Sequence, residues 1–347
     1  MLRGAVHALL SLVLRIFFRR VEVTGRYQVP AQGPVLFCSN HPNALIDPLV
    51  LLVTAPRPVS FLAKAPLFDM PVIGWFARAL DAIPVYRAQD FPEGRPDNAG
   101  MFAAARAVLD GGGTIGIFPE GTSHSEPDLK PLKTGAARLA LGAGIAGPVQ
   151  IVPVALNYTA KSTFRSAALV CFGEPIVVEP APAAGEPPPA RVAAVTHQIE
   201  QGLRAHLVLA QARETLELAN QLERLFIGGG TDPGGPSPLA ESAEIRRRLL
   251  EEYPTVVRRA PVRVARLRAR LDRHEARMHG AGLDSVLLSP RPFTLGGVLR
   301  YALRSAGYFA LAGPVALPGL LLHYPASRLS GCLARRVAGE GQDVLAT

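Results

Sequence analysis

Between about Val21 and Val178, short apolar or β-branched runs alternate with longer stretches of helical periodicity. VLFC (35–38), VSFLA (59–63), IPVY (83–86), TIGIF (114–118), VQIVPVAL (149–156) and LVCFG (169–173) read as strands. Residues 42–53, 66–79, 97–110 and 133–144 read as helices. This alternation predicts an α/β fold, a mostly parallel sheet flanked by helices, whose ligands bind beyond the carboxyl ends of the strands.

Residues 1–20, MLRGAVHALLSLVLRIFFRR, repeat Arg3, His7, Ser11, Arg15 and Arg19 every four positions opposite a broad apolar face. That spacing predicts an amphipathic helix, which either lies in a membrane interface or packs on the domain's own core. Arginines interrupt the apolar run and no small-residue cleavage site follows, so the segment is expected to be retained. Beyond the α/β region (21–178), residues 179–290 read as a helical extension. It opens with a Pro/Ala-rich loop, Glu179 to Ala190, and has helical patterns over 191–226 and 239–281 with a Gly/Pro-rich loop at 228–238 between them. Residues 291–330 contain an apolar run from Ala306 to Leu322, broken by Pro314 and Pro318, before a tail at 331–347. Such a run suits a re-entrant or interfacial hairpin, with a buried core helix as the alternative.

With 347 residues, 48% hydrophobic and 19% charged, the chain is too apolar for disorder, and its net charge of +9 favours anionic partners. The three cysteines, Cys38, Cys171 and Cys332, lack the spacing of a disulfide scaffold or zinc ribbon. Gly111–Gly113 precede a strand instead of joining strand to helix, no Walker A sequence occurs, and the two histidines of HEARMH (274–279) are five apart instead of four. The Arg-rich helices at 245–273 carry no recognition motif or aromatic platform, which favours anionic lipid head groups over nucleic acid.

Two loops carry the chemistry. In SNHPNALIDPL (39–49), His41 follows a strand, Pro42 suits a first helical turn, and Asp47 lies six residues on. A carboxylate on one imidazole nitrogen fixes the tautomer and leaves the other nitrogen to take a proton from a hydroxyl. In IGIFPEGTSHS (115–125), a buried strand runs into a polar turn whose backbone amides suit close approach of an anion. Cys38 sits in an apolar strand, where a small buried side chain is expected rather than a nucleophile.

Taken together, four blocks resemble the glycerolipid acyltransferases of the lysophosphatidate and glycerol-3-phosphate acyltransferase superfamily. They are NHPNALID with His41 and Asp47, DAIPVYR ending in Arg87, FPEGTS with Glu120 and Gly121, and IVPVAL with Pro153. The resemblance covers about Val21 to Val178 and implies that His41, oriented by Asp47, removes a proton from a glycerol hydroxyl that attacks an acyl thioester. It implies that Arg87 clamps the acceptor phosphate, that Glu120, Gly121 and Thr122 shape the acceptor or oxyanion region, and that Lys64 and Lys133 are secondary phosphate candidates against an ordinary solvated role. No metal or cofactor is implied beyond acyl-CoA or acyl-carrier protein as co-substrate. The implied setting is an anionic lipid bilayer at the cytoplasmic face of the cell membrane. Lysophosphatidate is the first acceptor, glycerol 3-phosphate or dihydroxyacetone phosphate the alternative, and a catalytically silent lipid-binding protein the third reading. Two positions depart from the family pattern: five residues separate His41 from Asp47 where most members have four, and Ala82 stands where a Gly is usual.

Overall fold

The computed structural model describes residues 2–44, 46–86, 98–142, 147–160, 163–179, 186–209 and 239–280, with single positions within 215–222 and 303–328. Arg87, the loop at 228–238 and nearly all of the apolar segment 291–330 lie outside the described residues. The chain divides into two compact units, Met1–Ala219 with Ser237–Thr255, and Asn220–Pro236 with Val256–Thr347.

In the first unit the strands are β1 (Arg20–Thr24), β2 (Val35–Ser39), β3 (Ser60–Lys64), β4 (Ile83–Val85), β5 (Thr114–Ile117), β6 (Val149–Tyr158), β7 (Ala167–Phe172) and β8 (Ile176–Val178). Among the described residues they form one sheet in the order β1-β7-β6-β2-β5-β3-β4, with β8 also on β6. The run from β6 through β2, β5 and β3 to β4 is parallel, and β7 and β8 meet β6 antiparallel. Every residue of β2 and β7 is buried, which is why these strands read as unbroken apolar runs.

The pleat sends alternate residues to two cores. Val35 and Phe37 join Val152 and Val154 beneath α1 (Leu2–Phe17) and α2 (Ile46–Thr54). Leu36 and Cys38 join Ile115 and Ile151 against α4 (Ala99–Asp110), α5 (Gly135–Leu141) and α6 (Pro189–Arg204). Pro153, an unusual residue inside a sheet, sits between the stretches of β6 that pair with β8 (149–151) and β7 (154–158), so its missing N–H breaks no ladder bond. Gly202 lets α6 seat on its ring, since a Cβ there would lie 2.5 Å from Pro153 Cγ.

Several sequence expectations need correction. Strand β1 alternates its two valines with Arg, Glu and Thr, and β8 is only three residues long, so neither stands out alone. The helix expected over 66–79 is a short 3-10 turn at Ala65–Asp69 followed by α3 (Pro71–Ala79), because Pro71 restarts the backbone. The helical pattern over 191–226 does not continue unbroken from α6, which stops at Arg204. There the Asn157 side chain accepts the Val208 N–H at 3.0 Å and donates to the His206 carbonyl at 3.1 Å. Val192, Val195, Ile199 and Leu203 make α6 part of the sheet's core, so the α/β unit extends past residue 178. The pattern over 239–281 divides at Ala260 into α7 (Leu239–Arg259) and α8 (Pro261–Gly280), and the Glu22 carboxylate accepts the first N–H groups of α7 from Leu239 and Ala240.

The N-terminal helix α1 shows three faces. Val6, Leu10, Leu14 and Phe18, the last just past its end, are buried in the core. Leu9, Leu12, Val13 and Ile16 are exposed, and Arg3 ties the helix to Asp81 and to the Val59 carbonyl. No helix among the described residues is long and apolar enough to cross a membrane.

Candidate active site

Because β2, β3, β4 and β5 are parallel, the residues following them converge at one end of the sheet. His41 follows β2, Lys64 closes β3, and Phe118 to Thr122 follow β5. Beyond Ser39 the chain leaves the sheet, yet Asn40 continues the pairing with its side chain. Its amide donates to the Leu156 carbonyl at 3.0 Å and accepts the Leu156 N–H at 2.8 Å, fixing the next residue, His41, against β6.

Pro42 does not open the helix, contrary to the sequence expectation. The chain turns first, with the Asn43 carbonyl accepting the Ile46 and Asp47 N–H groups at 3.1 and 3.0 Å, and α2 begins at Ile46. That turn brings Asp47 back beneath His41, with Asp47 Oδ2 2.9 Å from His41 Nδ1. Facing a carboxylate, Nδ1 carries the ring proton, which leaves a lone pair on Nε2. Nε2 has no protein partner among the described residues, and the imidazole is 14% exposed. Phe118 stacks on the ring at 4.1 Å and 17°, holding its plane.

Asp47 is 0% exposed, and burial pushes its carboxyl above the usual carboxylate range. Opposing that shift are its bonds from His41, from the Tyr158 hydroxyl to Oδ1 at 2.7 Å and from the Asn43 N–H to Oδ2 at 2.6 Å. The Cys38 thiol, wholly buried nearby in β2, is pushed far up by desolvation, which suits packing and not nucleophilic attack.

Glu120, expected among the substrate-binding residues, is only 3% exposed and is turned inward. Oε1 accepts the His41 N–H at 2.8 Å, and Oε2 accepts the Lys130 N–H at 2.9 Å together with His124 Nε2. The Glu126 N–H donates to His124 Nδ1 at 3.2 Å, so Nε2 is the protonated nitrogen that faces Glu120. The His124 N–H in turn donates to the His41 carbonyl at 3.2 Å. Glu120 is therefore a brace that ties the His41 loop to the FPEGTS loop from behind.

Gly121 adopts φ 70°, and a Cβ there would strike the Lys133 side chain at 2.6–2.7 Å. Lys133 thus lies across the FPEGTS loop, its N–H bonded to the Pro119 carbonyl at 2.7 Å and its side chain exposed. Thr122 is exposed, and its hydroxyl reaches the Ser123 carbonyl at 3.4 Å. Lys64 is also exposed and pairs in register with Val85, two residues before Arg87 in sequence. The structure brings His41, Asp47, Glu120, Gly121 and Lys133 into one connected group. Asn40, His124, Phe118 and Tyr158 complete it, and sequence reasoning missed all four. His124 stood inside a quoted motif; Tyr158 is separated from Asp47 by 111 residues and carries no local signal.

A family model described as Acyltransferase matches residues 20–157. Glycerol-3-phosphate O-acyltransferase 1 of Saccharomyces cerevisiae is 28% identical over 336 residues, covering 71% of this chain and 44% of that protein. A 1-acyl-sn-glycerol-3-phosphate acyltransferase of Bacillus subtilis is 29% identical over 209 residues, covering 59% of this chain and 91% of that one. The solved 1-acyl-sn-glycerophosphate acyltransferase of Thermotoga maritima aligns at TM-score 0.42 and 17% identity, over 57% of this chain and 77% of that one. This chain spans less than half the length of the two yeast glycerol-3-phosphate relatives. The matched stretch starts at the first residue of β1, ends one residue short of the end of β6, and encloses His41, Asp47, Arg87 and the FPEGTS loop. Residues 20–157 are thus similar to the Acyltransferase family model, and the curated relatives that overlap them are glycerol-3-phosphate and 1-acyl-sn-glycerol-3-phosphate acyltransferases.

Proposed function

We propose that this chain transfers a fatty acyl group from an acyl thioester, acyl-CoA or acyl-carrier protein, to the free hydroxyl of 1-acyl-glycerol 3-phosphate. The observation that carries the reading is the His41–Asp47 pair, with Nδ1 held at 2.9 Å by a buried carboxylate and Nε2 left available as a base. Nε2 takes the hydroxyl proton as that oxygen attacks the thioester carbonyl. The C–O bond forms, the C–S bond breaks, and the departing thiolate recovers the proton from the imidazolium. Lys133, with Lys64 and Arg87, supplies cations for the acceptor phosphate. Glycerol 3-phosphate is the second acceptor reading. The match to the yeast glycerol-3-phosphate enzyme extends over 71% of this chain, and five residues separate His41 from Asp47.

An acylated acceptor lies in a bilayer, and we place the chain on the cytoplasmic face of the cell membrane. Leu9, Leu12, Val13 and Ile16 of α1, with Met70, Val72 and Trp75 at α3, are the exposed apolar side chains that support this placement, together with the net positive charge. The test is an acyl-transfer assay with both donors and both acceptors, following thiol release and the lipid product by mass spectrometry. His41→Ala should lose about 10²–10⁴-fold in turnover with little change in acceptor KM. Absence of any thioester-dependent product, or more than about a tenth of turnover kept by His41→Ala, overturns the reading.

A further inference from the structure

Tyr158 is the last residue of β6 and the first beyond the stretch matched by the family model. Its hydroxyl donates to Asp47 Oδ1 at 2.7 Å, while Oδ2 takes His41 Nδ1 and the Asn43 N–H. The ring is stacked on Phe18, with centroids 5.7 Å apart and planes 15° apart, and Phe18 is itself buried at the end of α1. A carboxylate held through one oxygen alone can pivot about its Cβ–Cγ bond. Held through both oxygens, it keeps one plane and presents a fixed acceptor to the imidazole. We propose that Tyr158 is a positioning residue for acyl transfer, holding Asp47 by the oxygen that His41 does not use and so fixing the orientation of the His41–Asp47 pair.

The electrostatics point the same way. Burial, followed by the Asp47 charge and the bond to it, keeps the Tyr158 phenol well above its ordinary value, so it stays a donor wherever Asp47 is ionised. The groups bonded to Asp47 are His41 and Asn43 from the preceding loop and Tyr158 from β6. On its other sides His41 meets the Phe118 ring, the Glu120 carboxylate at its N–H and the His124 N–H at its carbonyl. Tyr158 is therefore one of three donors opposing the desolvation of a wholly buried carboxylate. Removing its hydroxyl makes Asp47 easier to protonate, and a protonated Asp47 no longer supports an imidazolium.

The inference rests on the acyl-transfer reading, and Tyr158→Phe tests it with nearly unchanged packing. Turnover should fall about 10–100-fold, as expected for a hydrogen bond to a charged group. KM for donor and acceptor should stay within about twofold, and the acid limb of kcat/KM against pH should move to higher pH. A mere packing role would not move that limb. Nitrogen-15 NMR of histidine-labelled protein supplies a readout independent of turnover. The wild type should hold the His41 proton on Nδ1, and the variant should show a broadened or displaced Nδ1–H signal. An inactive wild type with this NMR difference sinks the acyl-transfer reading and leaves the brace standing. An active wild type whose Tyr158→Phe variant keeps turnover, pH limb and the Nδ1 signal overturns the role of Tyr158. An unchanged Nδ1 signal overturns it whether or not the protein is active.

Discussion

Replacing Glu120 by Gln separates two roles that the FPEG motif leaves confounded. The carboxylate accepts the His41 N–H on one oxygen and both the Lys130 N–H and the His124 Nε2–H on the other. An amide keeps one oxygen, so in either orientation its NH₂ faces at least one of those donors. If the NH₂ takes the Oε2 position, two bonds are lost; if it takes Oε1, the His41 N–H loses its acceptor. His124 can present a bare Nε2 only by moving its proton to Nδ1, where the Glu126 N–H already points. Each lost bond to a buried charge is worth ~1.5–3 kcal/mol, so Glu120→Gln should cost about 2–5 kcal/mol. At ~2–4 °C per kcal/mol for a unit of this size, thermal unfolding should move down by roughly 4–20 °C. Because the lost bonds anchor the His41 backbone, kcat should fall more than acceptor KM rises. Differential scanning fluorimetry with steady-state kinetics on both substrates checks this. A variant that melts within about 2 °C of wild type and shows a selective rise in acceptor KM would refute the bracing role and return Glu120 to the substrate.

Two further outcomes follow from the same geometry. Leu12 and Ile16 are each 55% exposed, so Leu12→Asp with Ile16→Asp should leave the fold's melting temperature nearly unchanged. The pair should weaken co-sedimentation with anionic vesicles by about 30-fold, from roughly 1 kcal/mol of apolar transfer per half-exposed side chain; equal sedimentation would mean that this face does not meet the bilayer. For Asp47, the folded-state value lies above the ordinary one, so between the two the folded chain holds a proton that the unfolded chain has released. This group's contribution to stability therefore declines as pH rises through that window and is lowest above it. Asp47→Asn, whose NH₂ must face at least one of the donors that Asp47 accepts, should lose turnover, and its melting temperature relative to wild type should rise as pH increases from about 4; a relative melting temperature that falls as pH rises contradicts the burial argument.

The parts of the molecule legible in the sequence are those whose signal is local. Strands β2, β5, β6 and β7 are buried on both faces, so each announces itself as an apolar run. Strand β1, RVEVT, is intermediate in exposure throughout and takes its place in the sheet only by pairing with β7, nearly 150 residues later. His41 and Asp47 were readable because they lie only six positions apart in the chain. The bonds that hold the pair in place span 79 residues to Glu120, 111 from Asp47 to Tyr158 and 116 from Asn40 to Leu156. Those partners become neighbours only once β6 and β5 lie on either side of β2, which no single stretch of sequence specifies.

The same topology explains why a costly buried carboxylate is tolerated. β2 is the central strand at the site, and its continuation is fixed on both sides: Asn40 pairs with β6, and the His41 N–H is held by Glu120 after β5. With the backbone clamped, Asp47 can sit wholly out of water, held by Tyr158 and the Asn43 N–H while facing the imidazole, where a low local dielectric strengthens the interaction. A solvated carboxylate in that place would lose most of this effect to screening. The cost of burying Asp47 and the fixed orientation of the His41 ring are thus two consequences of one placement. Asp47→Asn, which removes the buried charge, must therefore also loosen the hold on the imidazole.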